Sequence, residues 1–86
     1  MKKSQLVSVM KYHLKSYNDE GVIIDDQTIH SSVLSEHDGL GDVNSMTLYF
    51  HSIKLTLFKA GVQTRKWPTD WVRLSVSELA EQLMPE

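Results

Sequence analysis

Residues 44–60 constrain this chain more than any other stretch. They form its most apolar segment and carry two cations and no carboxylate. Met46, Tyr49, Phe50, Ile53 and Leu57 recur at helical spacing and fit one face. Leu48, Leu55 and Phe58 occupy another, so a helix here is expected to be buried on more than one side. The inner "SIKLTLF" also alternates with period two, as a strand would. Total length, and Gly61 directly after Ala60 as a C-cap, favour the helix. Such a helix needs apolar partners, and the remainder of an 86-residue chain has to supply them within one domain, residues 1–86.

Two further segments qualify. In residues 3–17, Leu6, Met10, Leu14 and Tyr17 make one stripe, with Ser4 as a candidate cap and Gly21 suited to a left-handed ending. In residues 75–84, Val76, Leu79 and Leu83 make another. There Ser75 and Glu78 have the S-x-x-E spacing in which hydroxyl and carboxylate each satisfy a backbone N–H of the first turn. Residues 22–43 read as an ordered connection that pins Ile23, Ile29 and Leu34 into the core, with a brief strand at 22–24 as the alternative. Its end, "SEHDGLGD", reads as loop. "VQTRKWPTDW" is a loop punctuated by Pro68, with Thr69 placed to cap a single turn that docks Trp71 and Val72. The expected fold class is all-α: a small helical bundle with one long crossover between its first two helices.

Charge is segregated. Residues 19–42 hold seven acidic side chains and no Lys or Arg, whereas residues 43–69 hold no acidic side chain and four basic ones, Lys54, Lys59, Arg65 and Lys66. The net charge of −2 hides this division. The basic half suits an acidic partner or a polyanion. With no cysteine, no apolar run of bilayer length and no signal-peptide pattern, the chain reads as cytoplasmic.

Few residues carry recognisable chemistry. His13, His30, His37 and His51 fall in no metal-ligand spacing and read as surface or half-buried polar groups, and no phosphate-binding glycine motif is present. "SEHD" places Ser, His and Asp side by side, which a triad cannot use because its roles depend on three-dimensional geometry. Trp67 and Trp71 stand among Arg65, Lys66 and Arg73, a composition that serves nucleic-acid stacking or, more commonly, a plug in a small core. Ser45 is at the start of the apolar helix, after Asn44, a good N-cap. The positive end of a helix dipole favours a phosphate there, and plain capping explains the residue equally well.

This layout, together with "LGDVNSM", resembles the acyl carrier protein and peptidyl carrier protein family. Leu40 and Gly41 look like that family's Leu-Gly, Asn44 takes the place of its usual Asp, Ser45 matches its modified serine and Met46 its following apolar residue. "IIDDQTIHSSVL" is similar to the family's first loop and "LSVSELAEQL" to its last helix. The chain departs from the pattern by one extra residue between Gly41 and Ser45, and by longer connections before Leu40 and before the last helix. The resemblance implies a four-helix bundle in which Ser45 carries 4′-phosphopantetheine, derived from coenzyme A and attached by a phosphopantetheinyl transferase. It also implies a thioester cargo, an acyl- or adenylate-forming loading enzyme and a downstream synthase. No catalysis, metal or membrane is implied for the chain itself. Lys54 and Lys59 would form a partner-binding face on the helix that is acidic in fatty-acid carriers, which points to a specialised lipid, lipopeptide or polyketide pathway. Two other readings stand beside it: a helical protein-interaction module without prosthetic group, and a small nucleic-acid-binding domain using Lys54, Lys59, Arg65, Lys66 and Arg73.

Overall fold

The computed structural model describes residues 1–18, 21–34 and 44–84. They contain three α-helices, α1 (Lys3–Lys15), α2 (Ser45–Lys59) and α3 (Val76–Leu83), with single 3-10 turns at His30–Ser32 and Trp71–Arg73. Among the described residues the helical class expected from the sequence therefore holds, and no strand forms at 22–24. The only β-type pairing described is an isolated antiparallel bridge, Ile29 to Ser75.

α1 packs against both other helices, and the two 3-10 turns pack against each other. The core takes Leu6, Val7, Met10 and Leu14 from α1, Tyr49, Ile53 and Leu57 from α2, and Val76, Leu79, Ala80 and Leu83 from α3, closed by Leu34. Each helix contributes residues spaced three or four apart, the stripe that 3.6 residues per turn puts on one side. Full burial of one such Leu or Ile is worth about 2 kcal/mol in transfer free energy.

Local chemistry sets the helix ends. α1 starts two residues earlier than a Ser4 cap would give: Lys2 is its N-cap, and Gln5 Oε1 accepts the Lys2 N–H at 2.7 Å. α2 ends in a Schellman arrangement. Gly61, at φ 71°, donates its N–H to the Phe58 carbonyl, and Val62 donates to Leu57, both at 3.0 Å. A side chain at Gly61 would be strained by that φ alone.

The start of α3 is the most completely tied point of the fold. A helix leaves its first N–H groups without intrahelical partners. Here Val76 donates to the Thr28 carbonyl at 3.0 Å and Ser77 to the Asp26 carbonyl at 2.9 Å. Glu78 donates to Ser75 Oγ, and Glu78 Oε1 accepts the Ser75 N–H, both at 3.1 Å, completing the expected capping box. The connection after α1 thus reaches across to cap the last helix. "DDQT" holds the shape it needs: Asp25 Oδ1 accepts the Gln27 N–H at 2.9 Å, and Thr28 Oγ1 accepts the Asp25 N–H at 2.8 Å.

Three expectations about burial are corrected. Ile23 and Ile29 face outward; Leu34 is buried as expected, and Thr28 and His30 anchor the connection beside it. His30 is fully buried rather than at the surface or half-buried. The second apolar face of α2 is not covered among the described residues: Leu48, Leu55 and Phe58 are 44%, 53% and 80% exposed. The physical reason is geometric. Tyr49, Ile53 and Leu57 turn the inner face of the 15-residue α2 to the core, and the outer arc of the same helix stays exposed.

Candidate functional site

Ser45 is the first residue of α2, and the cap before it is Asn44, whose Oδ1 accepts the Thr47 N–H at 2.9 Å. The capping function that would have explained a serine here is therefore carried by its neighbour. Ser45 itself is 5% exposed. The first turn of α2 has no acidic residue to neutralise the positive end of its dipole. Leu40 and Gly41, with the rest of "SEHDGLGDV" including His37, lie outside the described residues.

One residue further along α2 begins an open groove of about 470 Å³, lined by Met46, Thr47, Phe50, Thr69, Trp71 and Val72. Behind it stands an aromatic cluster. Trp71 stacks on Tyr49 with ring centroids 5.7 Å apart and an interplanar angle of 17°, and sets its edge to Trp67 at 5.5 Å. Phe50 meets Trp67 edge-on at 4.8 Å. Offset and edge-to-face pairs of this kind each add about 0.5–1.5 kcal/mol beyond burial. The expected short turn after Pro68 is present, but Thr69 does not cap it: Asp70 is its N-cap and makes no side-chain cap bond. Trp67 and Trp71 are both half-buried in this cluster, the plugging role foreseen for them.

Sequence reasoning missed the polar pin beneath the cluster. The Leu74 carbonyl lies 2.7 Å from His30 Nδ1, and a carbonyl can only accept, so Nδ1 carries the proton. Nε2 is then the acceptor for the Tyr49 hydroxyl at 2.9 Å. Burial holds His30 below its ordinary value of 6.5, opposed in part by the bond to Leu74. Burial likewise pushes the Tyr49 phenol far up. This neutral pair ties the first connection to α2 and to the residue before Ser75. The usable signal was Val33 and Leu34 at i+3 and i+4 from His30, which puts the imidazole on the apolar side of its own turn.

Lys54 and Lys59 are exposed on α2. Lys54 Nζ lies 5.1 Å from the centroid of the Phe50 ring, within cation–π range. Arg65, Lys66 and Arg73 are exposed in the segment that follows α2. His13 is half-buried on α1 with its ring edge against Tyr12, and His51 is exposed on α2. Among the described residues no group of three or more His, Cys, Asp or Glu side chains could hold a metal ion, and no helix is long and apolar enough to cross a membrane.

Comparison of the chain with protein-family models, with curated proteins and with solved structures found no match.

Proposed function

We propose that this chain is an acyl or aminoacyl carrier, with Ser45 Oγ as the attachment point of a 4′-phosphopantetheine arm. The observation that carries the reading is the division of labour at the start of α2: Asn44 does the capping, so that role does not account for the serine hydroxyl one residue on. The dipole of the helix favours a phosphodiester there, and the groove along Met46, Phe50 and Trp71 starts one residue away. On this reading the Trp71–Arg73 turn takes the place of the short third helix of a four-helix carrier bundle.

The attachment chemistry uses a separate transferase. Ser45 Oγ attacks the β-phosphorus of coenzyme A, an O–P bond forms, and the bond to adenosine 3′,5′-bisphosphate breaks. The hydroxyl proton passes to the transferase base. The arm's thiol then supplies the thioester, so a chain without cysteine can carry the cargo. The carrier catalyses no step. Tethering raises the effective concentration of the intermediate at successive enzymes. Because Ser45 is 5% exposed, the hydroxyl has to be uncovered during transfer.

That burial favours a second reading, a helical interaction module in which Ser45 is structural. Incubation with coenzyme A and a broad-specificity phosphopantetheinyl transferase, followed by intact mass, separates the two. A gain of one arm, absent in Ser45→Ala, is the carrier result. No gain, with the transferase active on a control carrier, leaves the interaction module.

A further inference from the structure

A separate cleft of about 630 Å³ opens between the start of α1, the segment after α2 and the end of α3. It shares no residue with the groove beside Ser45. Its size is within the range of about 300–1,000 Å³ usual for small-molecule sites. Lys2, Lys3 and Arg65 line it, and no described Asp or Glu does. Lys3 is paired with Glu81, and the other described ion pair is Lys11–Asp26. Lys2 and Arg65 therefore bring two charges that no described carboxylate compensates. The backbone of each is fixed. The Lys2 N–H donates to Gln5 Oε1 at 2.7 Å, and the Lys2 carbonyl accepts the Leu6 N–H at 3.1 Å. The Arg65 N–H donates to the Leu83 carbonyl at 3.1 Å, which holds this segment against the end of α3. Thr64 adds a hydroxyl to the lining, and Met1 and Met84 give it an adaptable apolar part.

We propose that this cleft binds a small organic phosphate monoester. Its two uncompensated cations match the charge of about −1.5 to −2 that a phosphate monoester carries at pH 7. A carboxylate or a phosphodiester brings a single negative charge and leaves one cation unmatched. The Arg65 guanidinium is a planar fork that phosphate oxygens accept in pairs, and Lys2 adds a point charge. The Thr64 hydroxyl is a further donor for the same group. A volume of about 630 Å³ far exceeds a phosphoryl group, so the carbon body of the ligand covers the methionines. Thioethers make favourable contacts with aromatic edges, which suits an aryl body. Nucleic acid fits poorly, because its affinity comes from many phosphates neutralised along a track of cations. Lys54 and Lys59 lie on α2, outside the cleft.

This site does not depend on an arm at Ser45, and Ser45→Ala is expected to bind as the parent does. The test follows the amide chemical shifts of the isotope-labelled full chain as phenyl phosphate is added. Inorganic phosphate, phenol, phenyl sulfate and phosphatidate vesicles are titrated beside it. The expected result is a saturable shift at Lys3, Thr64, Arg65 and Met84 with phenyl phosphate. Phenol should give none, and inorganic phosphate and phenyl sulfate, which lack the aryl body and the second charge respectively, should bind several-fold more weakly. Arg65→Gln keeps the backbone bond to Leu83 and is expected to raise Kd by about tenfold or more, and Lys2→Gln by a smaller factor. The same spectra report that each variant is folded. The proposal is overturned by the absence of a saturable shift, by shifts spread over Lys54, Lys66 and Arg73, or by a Kd unchanged in the Lys2→Gln, Arg65→Gln double variant. Equal affinity for inorganic phosphate, meaning an adventitious ion only, or binding confined to the vesicles, meaning a lipid headgroup, overturns it as well.

Discussion

Two serines stand at the starts of two helices, and both are buried. Ser75 precedes α3, and every atom of its role is accounted for: its Oγ accepts the Glu78 N–H, its own N–H goes to Glu78 Oε1, and its carbonyl accepts the Leu79 N–H at 3.0 Å. Ser45 stands one position further in, within α2, after a residue that already caps the helix. Capping therefore explains Ser75 completely and does not explain Ser45. The same residue type, at the same kind of place, is the cap of one helix and follows the cap of the other. The difference comes from a single neighbour, Asn44.

Mutation of each start tests this contrast, and the largest effect belongs to α3. Ser75→Ala removes a buried cap and leaves the Glu78 N–H unpaired, so it is expected to cost about 1–2 kcal/mol. Denaturant unfolding reads that loss directly; a change below about 0.5 kcal/mol would mean that the capping box contributes little. The same end of the molecule responds to acid. His30 is held neutral between the Leu74 carbonyl and the Tyr49 hydroxyl, with its folded-state proton affinity lowered. As pH falls, the unfolded chain takes up this proton first. The contribution of the pair is therefore complete above the ordinary value of 6.5 and lost below it, at up to about 1.4 kcal/mol per pH unit, until the buried ring itself titrates. Stability measured between pH 7 and 5 should fall, and His30→Gln should flatten that fall; an unchanged slope in the variant would assign the acid sensitivity to other groups.

At the start of α2 the ordering reverses between neighbours. Asn44→Ala is expected to cost about 1 kcal/mol through the lost bond to the Thr47 N–H. Ser45→Ala is expected to cost less than Asn44→Ala, because it leaves the cap and its bond to the Thr47 N–H in place. If thermal melts showed Ser45→Ala to be the costlier of the two, Ser45 would be a structural residue and the contrast with Ser75 would collapse.

Much of this scaffold can be read from the residues, because its determinants are local. The S-x-x-E spacing at Ser75 and Glu78, Asn44 before an apolar run and Gly61 after one act within a few positions, and the structure places each as expected. Periodicity also identified the inner stripe of α2, of which Tyr49, Ile53 and Leu57 are buried. It could not say what covers the opposite stripe, because spacing assigns residues to a face without counting the elements available to pack on it. That is why Leu48, Leu55 and Phe58 were expected in the core and stand in solvent. The pairing of His30 with Tyr49 was out of reach for a related reason: it joins residues 19 positions apart through a turn whose path no local rule fixes. Ser45 was singled out by resemblance and by its place at a helix start. What the structure adds is the bond from the Thr47 N–H to Asn44 Oδ1 that makes the expected cap.

The most direct test of the central claim compares the two serines in one assay. The parent chain, Ser45→Ala and Ser75→Ala are each incubated, below their melting temperatures, with coenzyme A and an active phosphopantetheinyl transferase, and their intact masses are taken. The account predicts one added phosphopantetheine on the parent and on Ser75→Ala, and none on Ser45→Ala. An unmodified parent, or an arm that survives Ser45→Ala, would contradict it.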